Sequence, residues 1–271
     1  MKLLTEKQRN EVLILMAKLI DQERSAILAI NKIDVDSYKG GDLAMYDRLK
    51  VDNVKIDGMI LSLKQLAADV DPLGKELYNF THENGMNIIN KTAPFGTVFI
   101  IYESRPDVTV EAASIAFKSG NKILLKGGKE SLKSNLKIVE LWHKALENFT
   151  ISSDWVEYLT FNRKETQAFL EKPTQKVDLI VPRGGEKLIE FVKLNANCPV
   201  IVSGRGNNFV YVDSDADLGV ALNVIVNAKT TKISACNAVD KVLIHKDVIR
   251  NEVFVTSFIN KLLKSNVVIF G

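Results

Sequence analysis

A chain of 271 residues, 46 % hydrophobic and 25 % charged, has the balance of an ordinary globular protein with one large or two medium domains. A net charge of +3, with lysines scattered along the chain, falls short of the clustered positive charge of a nucleic-acid-binding surface. Two cysteines cannot build a disulfide framework, no run approaches the ~20 apolar residues of a membrane span, and the N-terminus lacks the apolar stretch of a signal peptide; a reducing, cytoplasmic setting is expected.

Thr5 followed by Gln8 has the form of a capping box, and Val12, Leu13, Leu15, Met16, Leu19 and Ile20 recur behind it at helical spacing. Helical character continues through residues 26–33, and a second helical stretch is predicted over 55–68. Residues 78–91 change character. Phe80 to Ile89 reads as two short strands about Asn84-Gly85, a dipeptide that supplies both positive-φ positions of a type I′ hairpin. A hairpin with free edges at this place is either an oligomerisation arm that pairs with another chain or a plain surface hairpin.

From Thr97 onward strand and helix signals alternate. Residues 98–102 form a fully apolar run, as in a strand buried on both faces, and 108–118 read as a helix stopped by Gly120. A short strand over 123–125 precedes a helix on which Leu132, Leu136, Val139, Trp142 and Leu146 mark one face. Further helices are predicted over 165–170, 186–196, 216–228 and 248–263, and strands over 177–181, 200–202, 209–212, 239–244 and 267–270. This βαβα rhythm predicts an α/β fold, a mostly parallel sheet with helices on both faces.

Two glycine-bearing turns follow apolar strands and lead into helices: Lys126-Gly127-Gly128-Lys129 and Arg183-Gly184-Gly185. Backbone amides and a helix N-terminus can meet phosphate there, and Lys126, Lys129 and Arg183 would favour a phosphorylated adenosine ribose. Tight strand-to-helix turns also require glycine without any ligand, so both readings stand. After the buried strand, Arg105 of Glu103-Ser104-Arg105-Pro106 either grips a carboxylate or phosphate or forms a structural ion pair with Glu103. Cys236 sits in a polar loop near Lys229 and Lys232. Nearby cations favour a thiolate, whereas a chance cysteine is usually buried and inert. Core packing is the expectation for Cys198. His82, His143 and His245 make no metal-ligand spacing with either cysteine, and no metal is expected.

Several of these segments, taken in order, resemble the γ-glutamyl phosphate reductase (glutamate-5-semialdehyde dehydrogenase) family of the aldehyde dehydrogenase superfamily. They are Pro94-Phe95-Gly96-Thr97-Val98 running into Tyr102-Glu103-Ser104-Arg105-Pro106, Gly120-Asn121, Leu125-Lys126-Gly127-Gly128, Ser134-Asn135, Pro182-Arg183-Gly184-Gly185, and Val226-Asn227-Ala228-Lys229-Thr230 leading to Cys236-Asn237. The resemblance implies an aldehyde dehydrogenase-like fold. Residues 1–73 and 96–205 would form an NADPH-binding domain, 74–95 a β-hairpin oligomerisation arm, and 206–271 the N-terminal part of a catalytic domain that extends further in the family. It implies NADPH-dependent reduction of L-glutamate 5-phosphate to L-glutamate 5-semialdehyde, the second step of proline synthesis from glutamate. A homo-oligomer is implied for the full-length enzyme, with room for substrate handover from glutamate 5-kinase, and with neither nucleic acid nor membrane as partner.

Carried onto this sequence, Cys236 is the thiolate nucleophile, and its backbone N–H and a side chain near Ser104 are oxyanion donors. Lys126, Gly127, Gly128, Arg183, Gly184 and Gly185 would bind the cofactor, and Arg105 and Asn237 the substrate. Where hydrolytic relatives place a glutamate as base for water, Ser203 stands here, and a hydroxyl is a poor base at neutral pH. Two other readings are a different aldehyde dehydrogenase relative and a non-catalytic nucleotide-binding remnant.

Overall fold

The structure, a computed structural model, describes residues 3–202, 206–231, 235 and 237–271, and of residues 43 and 44 the backbone alone. It divides into two compact units, up to Val202 and from Ser203 onward.

In the first unit, α1 (Glu6–Gln22) starts at the predicted capping box. Thr5 Oγ1 accepts from Gln8 N at 3.2 Å and Gln8 Oε1 accepts from Thr5 N at 3.0 Å. There follow α2 (Arg24–Ser37), α3 (Leu43–Leu49) and α4 (Asn53–Ala68), the last capped by Asp52. The strands β1 (Glu76–Thr81) and β2 (Asn87–Lys91) form the hairpin. Its turn differs from the expectation. Gly85 has a φ of 86°, but Asn84 is not in the left-handed region, so the turn is not type I′. Gly85 N donates to His82 O and His82 N to Met86 O, both at 2.8 Å. That is a three-residue loop with one left-handed residue, which glycine supplies without strain. Both outer edges of the hairpin lack a partner strand among the described residues, and Leu77, Tyr78, Phe80, Met86 and Ile89 are exposed.

The sheet is built from β3 (Thr97–Tyr102), β4 (Lys122–Lys126), β5 (Val156–Tyr158) and β6 (Leu179–Arg183), all parallel, in the order β5-β4-β3-β6. The connecting helices are α5 (Val108–Lys118), α6 (Leu132–Glu147) and α7 (Arg163–Glu171), with α8 (Glu186–Asn195) after β6. The apolar run of β3 serves two cores. Val98, Ile100 and Tyr102 pack with residues of α1, α4, α5 and α6, while Phe99 and Ile101 pack with Leu124, Phe169, Leu170, Ile180 and Val192 on the side of α7 and α8. Gly120, at φ 73°, ends α5 as predicted.

Three further expectations fail. Leu136 is 41 % exposed, because α6 turns Ser134 and Asn135 inward beside the predicted Val139, Trp142 and Leu146. The strand predicted over 200–202 shrinks to one bridge between Val200 and Ile180. Residues 267–270 form no strand among the described residues; Val267 N donates to Leu262 O at 3.0 Å, and Val268 and Phe270 are exposed. In the second unit, β7 (Phe209–Val212) and β8 (Lys241–Ile244) pair in parallel, and α9 (Leu218–Thr230) and α10 (Glu252–Lys264) cover them through Leu222, Ile225, Phe254, Phe258 and Leu262.

Lys118 is an unusual lysine, since only 2 % of it is exposed. Its ammonium donates to Asn10 Oδ1 at 2.7 Å and to Asp69 O at 2.9 Å, joining α1 to the carbonyl end of α4, where a positive charge suits the helix dipole. Lys118→Met removes the charge and leaves Asn10 Oδ1 and Asp69 O without this donor. Urea unfolding should show a loss of about 2–3 kcal/mol.

Candidate functional site

The strand order places β4 and β5 on one side of β3 and β6 on the other. Ligands of open α/β sheets bind at such a reversal, outside the carboxyl ends of the strands. A cavity of about 600 Å³ lies there, on the α7 and α8 side. Ile101, Phe161, Leu188 and Phe191 give it an apolar lining, Lys126, Lys129, Arg163 and Lys187 supply cations, and Glu103 and Glu130 supply carboxylates.

A buried chain of hydrogen bonds holds the turn after β4. Thr109 Oγ1 donates to Asn135 Oδ1 at 3.0 Å, so the 2.6 Å contact between Tyr102 and Thr109 has the phenol as donor. Asn135 Nδ2 donates to Ser131 Oγ and to the Tyr158 hydroxyl, both at 3.0 Å, and the latter also accepts Gly127 N at 3.2 Å. Ser134 is tied to α2, because Asp34 Oδ2 accepts from its amide at 2.8 Å and its hydroxyl at 2.7 Å. Asn135 and Thr109 are fully buried. Burial pushes the Tyr102 phenol well above its ordinary pKa and raises that of Tyr158, so both stay protonated.

The glycines of this turn are required by close packing. A Cβ on Gly127 would lie 2.4 Å from Asn135 Nδ2, and one on Gly128 would lie 2.2 Å from Ser104 Oγ and 3.0 Å from Ser104 N. Ser104 is buried, and its hydroxyl donates to Glu130 Oε2 at 2.7 Å. The hydroxyl expected near an oxyanion is thus engaged by a carboxylate. Lys126 is half-buried and donates to Gly127 O at 2.8 Å; burial pulls its pKa down, opposed by the charge of Glu130.

The turn after β6 is built around a carboxylate of the chain itself. Glu103 Oε1 accepts from Gly185 N at 3.0 Å at the start of α8, and Glu103 pairs with Arg48 at 3.4 Å. A Cβ on Gly184 would lie 2.8 Å from Glu103 Cγ. Arg183 does not join Lys126. It projects to the α5 side of the sheet and lines a separate cavity of about 440 Å³ with Val98, Ile100 and Val181. The Glu103–Arg105 ion pair weighed from the sequence does not form. Arg48 holds Glu103, and Arg105 lies 3.9 Å from Asp107.

In the second unit Asn237 is exposed in the loop between α9 and β8. The end of this loop is held by Asn208 Nδ2 donating to Ala238 O at 3.0 Å and Lys229 Nζ donating to Val239 O at 2.9 Å. Cys236, Lys232 and Ser203 lie outside the described residues. Cys198 packs beside the core formed by Phe99 and Ile180, and burial raises its thiol pKa. Among the described residues no group of three or more His, Cys, Asp or Glu could hold a metal ion, and no helix is long and apolar enough to cross a membrane. Sequence reasoning missed Tyr158 and Arg163, which lie outside the glycine motifs, and gave no role to Glu130 and Lys187, which follow the two glycine-bearing turns. Asn135 entered only as part of a resemblance.

The profile of the aldehyde dehydrogenase family matches residues 1–268. The chain belongs to this family. Among aldehyde dehydrogenase family proteins it is similar to γ-glutamyl phosphate reductases. That of Clostridium beijerinckii is 35 % identical over 267 residues, 98 % of this chain and 64 % of the relative. That of Streptococcus suis is 41 % identical over 247 residues, 91 % of this chain and 60 % of the relative. The crystal structure of γ-glutamyl phosphate reductase from Thermotoga maritima superposes with a TM-score of 0.87 at 36 % identity, covering 97 % of this chain and 64 % of that one. The chain thus spans less than two thirds of the length of these relatives. The aldehyde dehydrogenase-like α/β fold expected from the sequence is present.

The two glycine turns should respond differently to substitution. Gly128→Ala meets a backbone atom that cannot yield and should lower stability by about 1–3 kcal/mol. Gly185→Ala meets only Glu103 Oε1, at 3.4 Å, on ordinary backbone. It should stay within about 0.5 kcal/mol of the parent in the same denaturant titration.

Proposed function

We propose that this protein takes part in the NADPH-dependent reduction of L-glutamate 5-phosphate to L-glutamate 5-semialdehyde and phosphate, the second step of proline synthesis from glutamate. The observation that carries the reading is the similarity to γ-glutamyl phosphate reductases across 98 % of the chain. The first unit would bind the nucleotide, the second would form part of the catalytic domain, and the hairpin would pair with another copy of the chain.

The cavity suits a phosphorylated nucleotide. Its apolar lining accepts a base, and Lys129, Arg163 and Lys187 have no carboxylate partner among the described residues. NADPH, when bound, supplies the hydride. Lys126 would hold a ribose or phosphate oxygen, with Gly127 and Gly128 letting the backbone come close. Gly184 and Gly185 would stand at the phosphates only if Glu103 yielded its place on α8.

In the second unit Cys236, as thiolate, would attack the acyl-phosphate carbon, form a thioester and expel inorganic phosphate, splitting one hard displacement into two easier steps. Its own N–H would stabilise the oxyanion, Arg105 and Asn237 would hold the substrate amino acid, and Ser203 would leave water without a base. Assayed in the reverse direction, with glutamate 5-semialdehyde, phosphate and NADP⁺, the protein should lose turnover on Cys236→Ala. Below about pH 7.5 iodoacetamide should label Cys236 much faster than Cys198, whose thiol burial makes a weaker acid than an ordinary cysteine. Equal, slow labelling of both would count against the thiolate.

Lys126 gives the nucleotide reading a pH signature. Its pKa is depressed in the free protein, and a bound phosphate would favour the charged ammonium. Binding then takes up a proton, and affinity should fall as pH rises through the depressed pKa of the free protein. Calorimetric titration with NADP⁺ across the alkaline range should show this decline, and Lys126→Arg, charged throughout, should flatten it.

A further inference from the structure

The arginine that the sequence offers for a phosphorylated ribose, Arg183, lies on the α5 side of the sheet, while the 600 Å³ cavity lies on the other. Another arginine lines that cavity. Arg163 is the first residue of α7, and a capping box fixes that turn. Asn162 Oδ1 accepts from Lys164 N at 2.9 Å and Glu165 N at 3.1 Å, and Glu165 Oε2 accepts from Asn162 N at 2.7 Å. The Arg163 guanidinium carbon sits 5.4 Å from the centroid of the Phe191 ring, which also lines the cavity. A ring contact of this kind orients the guanidinium and leaves its N–H edge free. Among the described residues that edge meets no carboxylate.

The charges around it are unevenly matched. Glu103 is already served by Gly185 N and Arg48, and Glu130 by the Ser104 hydroxyl. Lys126 donates to a carbonyl, which neutralises nothing. The carboxylates of the cavity therefore have donors, while Arg163 at its rim has no anion. Two nicotinamide dinucleotides differ only in whether the adenosine ribose carries a hydroxyl or a phosphate. An oriented guanidinium edge at the rim distinguishes them, because it can take two phosphate oxygens at once.

We propose that Arg163 is the specificity-determining residue that selects the phosphorylated adenosine ribose, in place of Arg183. The proposal rests on the nucleotide reading above. Its test is calorimetric titration of the 271-residue chain with NADP⁺ and with NAD⁺ at one fixed, low ionic strength, for the parent, Arg163→Gln, Arg163→Lys and Arg183→Gln. Arg163→Gln should weaken NADP⁺ about tenfold or more and leave NAD⁺ within about twofold. Arg163→Lys, which keeps the charge and loses the fork, should recover part of the loss. An NADP⁺ affinity unchanged by Arg163→Gln, or both dinucleotides weakened alike, would overturn the proposal. Discrimination lost in Arg183→Gln instead would return the role to Arg183. A parent chain that binds neither dinucleotide would sink the nucleotide reading, and Arg163 with it.

Discussion

Asn135 is the point on which the candidate site depends. It donates both amide hydrogens and accepts one hydroxyl, and through these bonds it ties α5, α6, β5 and the turn after β4 into one arrangement. A fully satisfied polar network in a dry core is rigid, because every alternative rotamer leaves a buried donor or acceptor unpaired. Gly127 is thus held by the interior of the first unit. Gly128 is pressed against Ser104, so the loop after β3 inherits the same restraint. The cavity wall is set by packing beneath it.

Much of the fold was legible in the sequence, and the reasons are specific. The capping box at Thr5, the apolar run into Tyr102 and the stop at Gly120 are short-range signals whose cause lies within a few residues. What escaped depends on contacts distant in sequence. The strand β5 is only three residues long and exists because β4 pairs with it. The inward stripe of α6 carries Ser134 and Asn135, polar residues that hydropathy assigns to the surface, and Leu136 is turned outward as a result. Asn84-Gly85 signals a turn, but dipeptide chemistry alone does not distinguish a two-residue loop from a three-residue one.

The candidate site was legible as motifs and not as partners. Both glycine turns were found, yet adjacent turns in sequence logic proved to be on different sides of β3. Arg183 and Lys126 alternate outward from strands whose faces are only decided by register. Glu103 was weighed against Arg105, its neighbour in the chain. Its actual partners, Arg48 and Gly185, are 55 and 82 residues away. Arg163 gave no signal, since one arginine opening a helix looks like any solvated cation until Phe191 is seen beneath it.

The two-sided burial of β3 has a consequence of another kind. Its alternate residues answer to different neighbours: Val98, Ile100 and Tyr102 to the helical layer of the N-terminal segment, Phe99 and Ile101 to α7 and α8. The strand is a partition between two cores that share a backbone and few side chains. Substitutions behind the 600 Å³ cavity can therefore accumulate without repacking the opposite layer. Outside the Asn135 network, the cavity side of this sheet can change its side chains independently of the other.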